Sequence, residues 1–260
     1  MRRRVLSAAV AGPLFLAVLW VGGPWVVLMS VAMAWVGAHE LGRIVRARDV
    51  HMVQALTAAL ATLWILAAAS GRPSLLLGPI VVVTLLASGV AWVAVPRVGP
   101  VGGMASLFGA LYLGVPLSAL VLIEVQFGRW PAILAFLMVF ASDVAGYFVG
   151  RGLGRRPLQP ELSPNKTMEG SAGALLGAVA VGWLGHRVLG LGVVPGLILG
   201  ALSGILAQYG DLAESALKRW AGVKDSGGLL PGHGGMLDRM DSVFFVLPVV
   251  YYFLVIWGFR

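Results

Sequence analysis

The chain has 260 residues, 59% of them hydrophobic and 12% charged, with a net charge of +8 and a mean hydropathy of +0.90. Soluble domains carry about 25% charged residues, so a water-facing globule is excluded, and the positive charge is of the kind that flanks membrane spans and meets anionic lipid heads rather than nucleic acid. With no cysteine there is no disulfide framework and no thiolate metal site.

Arg2, Arg3 and Arg4 precede an apolar run. Signal peptides share this pattern with first transmembrane helices, and the many apolar runs that follow favour the helix. A crossing needs about 20 mostly apolar residues. The chain offers nine candidate spans: Val5–Trp20, Pro24–Ala38, Val53–Ala69, Ser74–Val95, Gly102–Ile123, Pro131–Val149, Ser171–Leu189, Val193–Gln208 and Ser242–Trp257. The expected fold is therefore all-α and polytopic. With the N-terminus in the cytoplasm, only Arg72, Arg129, Arg187 and Arg260 of the 19 Lys and Arg residues fall outside. That bias obeys the positive-inside rule and puts the C-terminus outside. The 36 glycines place small residues on helix faces, as close packing in a membrane requires.

Acidic residues divide the chain. Of the 11, only Glu40, Asp49 and Glu124 precede Asp143. Residues 1–130 thus read as a transmembrane scaffold, and residues 131–260 as a catalytic region with its loops on the cytoplasmic side.

Asp143 lies inside an apolar span, where a charge costs roughly 2.5–3.5 kcal/mol on insertion scales. It is either paired with a neighbouring helix or contacts a ligand or metal in a wet cavity. The next segment carries Arg151, Arg155 and Arg156, then Ser163-Pro-Asn-Lys-Thr-Met-Glu-Gly170. Ser163 is expected to cap a helix with Pro164 at its first position, which puts Lys166 and Thr167 in the first turn. A helix N-terminus with a lysine and hydroxyls suits a phosphate. Further on, Asp211, Glu214, Ser215 and Lys218 have spacings that put them on one helix face; a solvated amphipathic face would look the same.

Lys218-Arg219, Lys224-Asp225, a glycine-rich stretch around His233, and Asp238-Arg239-Met240-Asp241 follow. Glycines let backbone N–H groups approach phosphate oxygens. Paired aspartates suit Mg²⁺, which takes one or two carboxylates plus substrate phosphates. His233 either orders the backbone or donates to a phosphate. Together these residues read as metal-assisted phosphoryl or nucleotidyl transfer onto a membrane-resident substrate. The glycine stretch is not a Walker A loop, because no Gly-Lys-Ser/Thr ends it.

The residues Ser215, Leu217-Lys218-Arg219, Lys224-Asp225, Pro231, His233-Gly234-Gly235 and Asp238-Arg239-Met240-Asp241 fill every fixed position of a signature, and the chain resembles the phosphatidate cytidylyltransferases (CDP-diacylglycerol synthases). Ser163–Gly170 is similar to a second motif of that family. Asp143–Arg151 is a looser match, with Val144 where the family often has Thr and Ala145-Gly146 where it has Gly-Ala. Residues before Asp143 match only as apolar spans.

The resemblance implies CMP transfer from CTP to phosphatidic acid, giving CDP-diacylglycerol and pyrophosphate, in a homodimeric helical membrane protein that requires Mg²⁺, with a monovalent cation as a further candidate. It implies metal ligation by Asp211 and Asp238. The expected catalytic set is Asp211, Asp238, Asp241 and Lys224. The expected substrate contacts are Ser163, Lys166, Thr167, Glu169, Lys218, Arg219, His233, Arg239 and Asp143. Other enzymes fit the same charges, namely a CTP-dependent lipid kinase or a nucleotidyltransferase acting on a polyprenyl phosphate. A transporter using Asp143 fits less well, because the remaining charges sit in loops on one side. A prokaryotic plasma membrane is the expected location.

Overall fold

The computed structural model describes residues 12, 14–70, 73–227 and 234–259. Residues 14–21 are helical. Eight helices follow: α1 (Pro24–Arg46), α2 (Gln54–Ala69), α3 (Pro73–Ala94), α4 (Gly99–Phe127), α5 (Arg129–Leu153), α6 (Met168–Leu189), α7 (Val193–Ala221) and α8 (Leu237–Ile256). Between α5 and α6 lies a short antiparallel hairpin of β1 (Pro157–Gln159) and β2 (Ser163–Thr167). The expectation of an all-helical chain is amended by this hairpin.

Six helices among the described residues (α1 and α4–α8) are long and apolar enough to cross a membrane. Large side chains such as Leu86, Val93, Phe140 and Leu176 stand exposed on helix surfaces. In water such surfaces would be costly; against lipid they are the expected solvent face. The chain reads as an integral membrane protein. Much of the expected first span, Val5–Trp20, lies outside the described residues. The other expected spans coincide with helices, but several helices run on beyond their apolar stretch. α7 continues past Gln208 to Ala221, and α8 begins at Leu237, before Ser242. Polar residues there extend the helix because their side chains reach partners without breaking the backbone ladder.

The chain divides into two compact units, Met1–Val125 with Leu217–Met240, and Gln126–Ala216 with Asp241–Arg260. Helices α7 and α8 each contribute residues to both.

In the first unit, α4 is the most buried of the six long helices, with Leu113, Leu117, Leu120 and Ile123 fully enclosed. Glu124 near its end accepts the Gly23 N–H at 2.8 Å, just before Pro24 opens α1. Proline suits that first position, where its missing N–H would be unpaired anyway. Arg43 and Arg46 lie in the last turn of α1, where cations complement the helix dipole. Buried hydroxyls find backbone partners: Ser106 accepts from Val53 N at 2.9 Å and donates to Gly102 O at 2.9 Å.

In the second unit, α5 and α6 pack along small residues. A Cβ added at Gly173 would stand 2.6 Å from Val149, and one at Gly177 would stand 2.6 Å from the Ala141 carbonyl. Only glycine permits that approach, which is the usual means by which membrane helices gain dispersion contact.

Candidate active site

The N-terminus of α6 is built differently from the sequence expectation. Ser163 does not cap a helix. It lies in β2, paired opposite Gln159, while Thr167 pairs with Pro157. The helix begins at Met168, and Thr167 is its N-cap, with Oγ1 accepting the Gly170 N–H at 3.1 Å. Pro164 and Lys166 therefore sit in extended backbone, not in a first helical turn. The physical reason is that two capping hydroxyls compete four residues apart, and hairpin pairing takes the earlier one. Glu169 closes the hairpin by accepting the backbone N–H groups of Arg155 at 3.0 Å and Arg156 at 3.2 Å. The Met168 N–H donates to Arg156 O at 2.8 Å.

This arrangement puts Lys166 and Thr167 on the wall of a cavity of about 560 Å³ within the second unit, shared with Asp143 and Arg151 of α5, Ser171 of α6 and Gln208 and Asp211 of α7. Lys166 Nζ lies 2.5 Å from Asp211 Oδ2. Ser215, one turn further along α7, has its hydroxyl 3.4 Å from Asp211 Oδ1. Arg151 donates to the Tyr147 hydroxyl at 2.7 Å and also lies over that ring. Ser171 donates to Gln208 Oε1, and Gln208 Nε2 donates to Gly204 O at 3.0 Å. Buried Ser142 presents a hydroxyl in the same wall that has no hydrogen-bond partner among the described residues. One cavity thus joins cations, two carboxylates and hydroxyl groups to an apolar lining, as a phosphorylated amphiphile or nucleotide requires. Ser163 and Glu169 do not line it.

The first unit holds a second acid–base cluster. Lys218 Nζ lies 2.6 Å from Asp238 Oδ1, with both side chains largely buried. Asp238 Oδ2 accepts from Ser226 N at 2.9 Å, Ser226 Oγ at 2.9 Å and Gly235 N at 2.7 Å. The Gly235 N–H, expected to face a phosphate, is thus engaged by a carboxylate. Glu40 lies beside it, 3% exposed. Its Oε1 accepts from Met236 N and its Oε2 from Leu237 N, both at 2.9 Å, and Ser226 Oγ is 3.2 Å from Oε2. Arg219, Lys224 and Arg239 are exposed. Asp241 lies three residues after Asp238 in α8 and its Oδ1 accepts from Ser242 N at 2.6 Å. His233 and Pro231 lie outside the described residues.

Sequence reasoning missed Glu40, Ser226, Ser171 and Gln208. The signal for Glu40 was present: an acid at the end of an apolar helix invites the same question as Asp143.

The donor chemistry of both clusters fits a hard divalent cation. Among the described residues no three His, Cys, Asp or Glu side chains form a cage. Mg²⁺ does not need one, since it takes one or two carboxylates and completes its shell with water and substrate phosphates. Asp211 and Asp238 are oxygen donors of that type, each beside a lysine.

The sequence matches the cytidylyltransferase family over residues 2–257. It is 34% identical to a phosphatidate cytidylyltransferase of Synechocystis, over 98% of this chain and 96% of that one. It is 33% identical to one of Bacillus subtilis, over 99% of both chains. A Brucella suis protein of the same name is 36% identical, over 97% of this chain and 93% of its own.

Proposed function

The chain belongs to the cytidylyltransferase family, and from that premise we propose that it transfers CMP from CTP to phosphatidic acid, forming CDP-diacylglycerol and pyrophosphate for phospholipid synthesis. The observation that carries this reading is the Lys166–Asp211 pair on the wall of a cavity that also has an apolar lining. One substrate is soluble and highly charged, and the other is anchored in lipid. A site for both needs cations, oxygen ligands and apolar walls together.

The reaction needs little proton chemistry from the protein. A phosphate oxygen of phosphatidic acid attacks the α-phosphorus of CTP. The bond from that phosphorus to the oxygen bridging to the β-phosphorus breaks, and pyrophosphate leaves with the electron pair. Positioning and charge neutralisation then supply most of the rate. Lys166 and Lys218 neutralise phosphate charge, with Arg219, Lys224 and Arg239 as further cations at the surface. Asp211 and Asp238 would hold Mg²⁺, which supplies Lewis-acid stabilisation of phosphate oxygens when bound. Asp211 and Asp238 also keep the two lysine ammonium groups oriented before substrate arrives. Ser142, Ser171 and Gln208 offer neutral hydrogen-bonding groups for the rest of the substrate.

The same reading includes nine spans, an N-terminus and active site on the cytoplasmic side, a homodimer, and a monovalent cation assisting Mg²⁺. Purified protein given radiolabelled CTP, Mg²⁺ and a panel of lipid phosphates tests the reaction. Labelled CDP-diacylglycerol with pyrophosphate is the expected result from phosphatidic acid. Release of CDP with a phosphorylated lipid would make it a kinase, and preference for a polyprenyl phosphate would change the acceptor.

A further inference from the structure

Glu40 is a carboxylate only 3% exposed with donors at both oxygens, and nothing in the proposed chemistry uses it. Its position in α1 is unusual. Both of its oxygens point at groups far along the chain: the Met236 and Leu237 N–H groups and the Ser226 hydroxyl. The first N–H groups of a helix have no partner within the helix. Glu40 therefore caps α8 from another element, and its negative charge lies at the positive end of the helix dipole.

Ser226 extends the contact to Asp238. Its oxygen is 2.9 Å from Asp238 Oδ2 and 3.2 Å from Glu40 Oε2. A hydroxyl has one proton to give, so the two carboxylates compete for it, and the shorter distance assigns it chiefly to Asp238. Glu40 holds the rest of the frame. A Cβ added to Gly227 or Gly235 would collide with the Glu40 carboxylate. One turn before Glu40, a Cβ on Gly37 would press on Met236 at 2.8 Å. Close packing on this face of α1 is thus fitted to the chain on either side of the glycine-rich stretch.

We propose that Glu40 is a positioning residue for the reaction, acting through the first turn of α8 to fix the Asp238 carboxylate and its Lys218 partner. The helix read as scaffold from its sequence then supplies part of the active-site frame. The inference rests on the CMP-transfer reading for its turnover readout, and the wild-type assay tests that reading separately.

The test compares wild type, Glu40→Gln and Glu40→Asp as full chains in detergent with phosphatidic acid. It measures kcat, KM for CTP, the unfolding midpoint, and amide hydrogen exchange of peptides spanning residues 226–241. Partners that orient a metal-ligating group typically change activity about 10–100-fold when removed, so kcat of Glu40→Gln should fall by roughly that factor. KM for CTP should stay near the wild-type value, with faster exchange confined to the 226–241 peptides. Wild-type kcat in folded Glu40→Gln, or a loss of activity that only tracks the fraction unfolded, overturns the proposal. If Glu40→Gln does not fold, Glu40→Asp decides: lowered kcat and faster exchange of the 226–241 peptides with an unchanged unfolding midpoint support the proposal, and unchanged kcat overturns it. Absence of CDP-diacylglycerol from wild type would instead overturn the proposed reaction, while the exchange data would still report whether Glu40 orders the α8 N-terminus.

Discussion

Lys166 Nζ and Asp211 Oδ2 meet at 2.5 Å across the cavity of the second unit, with side-chain exposures of 28% and 34%. Lys166 comes from an extended strand and Asp211 from a long helix. The pair is wet enough that its contribution to stability is small, about 0–1 kcal/mol for exposed ion pairs. Its cost to function on removal should be large, because a cation aimed at developing phosphate charge is worth roughly 10²–10³ in rate. Lys166→Met and Asp211→Asn should therefore each lose that much kcat/KM while unfolding within a few degrees of wild type. Turnover and a thermal melt on the same preparations check this, and a large drop in melting temperature with normal specific activity would contradict it.

Lys218 and Asp238 should behave in the opposite way. Their side chains are only 14% and 9% exposed. Removing one partner of a buried pair leaves an uncompensated charge and costs about 3–5 kcal/mol. Lys218→Met should thus lower both stability and activity. The double variant Lys218→Met/Asp238→Asn should recover part of the stability, since the unpaired charge is gone, and none of the activity. A double-mutant cycle on unfolding midpoints separates the two effects. Equal stability losses that simply add would show that the pair is not coupled.

How much of this was visible in the sequence follows from the range of each interaction. The helices were legible because long apolar runs have few alternatives in a membrane. Asp143 was legible as a charge inside such a run, Lys166 and Asp211 as charges beside one, and the structure brings them to one cavity. The start of α6 was misread because Ser163-Pro164 and Thr167 both look like helix openings. What separates them is pairing with Pro157–Gln159, which no local propensity encodes. Glu40 was missed for a related reason. Its acceptor role depends on the Met236 N–H, 196 residues away. A single acid followed by Arg43 and Arg46 looks locally like a helix end with topology charges.

The hairpin gives a third prediction. Glu169 holds two consecutive backbone N–H groups, and Thr167 caps the helix beside it. Thr167→Val keeps the shape but loses the cap, at a cost of about 1 kcal/mol. Glu169→Gln keeps one acceptor and loses the charge near the helix N-terminus. Both variants should loosen residues 154–167 without disturbing α5–α6 packing, which rests on glycine contacts elsewhere. Amide exchange should accelerate at Arg155 and Arg156 in Glu169→Gln, and KM should rise because Lys166 loses its fixed approach. Unchanged exchange at those two amides would remove the clamp role.

Gly235 couples stability to the geometry of the Asp238 cluster. Its N–H serves Asp238 at 2.7 Å, and the space where a Cβ would stand is filled by Ser226 Oγ and a Glu40 oxygen. The glycine is required by steric fit to two buried side-chain oxygens, not by an unusual φ. Its neighbour Gly234 differs: there φ is +83°, a conformation that L side chains rarely adopt, and a Cβ would meet Asp238 Oδ2 rather than Ser226 or Glu40. Gly235→Ala should cost about 1–3 kcal/mol by overpacking and displace Asp238 as well, so activity should fall further than stability explains. Pairing it with Ser226→Ala removes one of the two clashing oxygens. If fit is the cause, the double variant should regain stability relative to Gly235→Ala, while Gly234→Ala should gain nothing from the same second change. Unfolding midpoints of the four variants decide the matter, and equal rescue at both glycines would overturn the steric account.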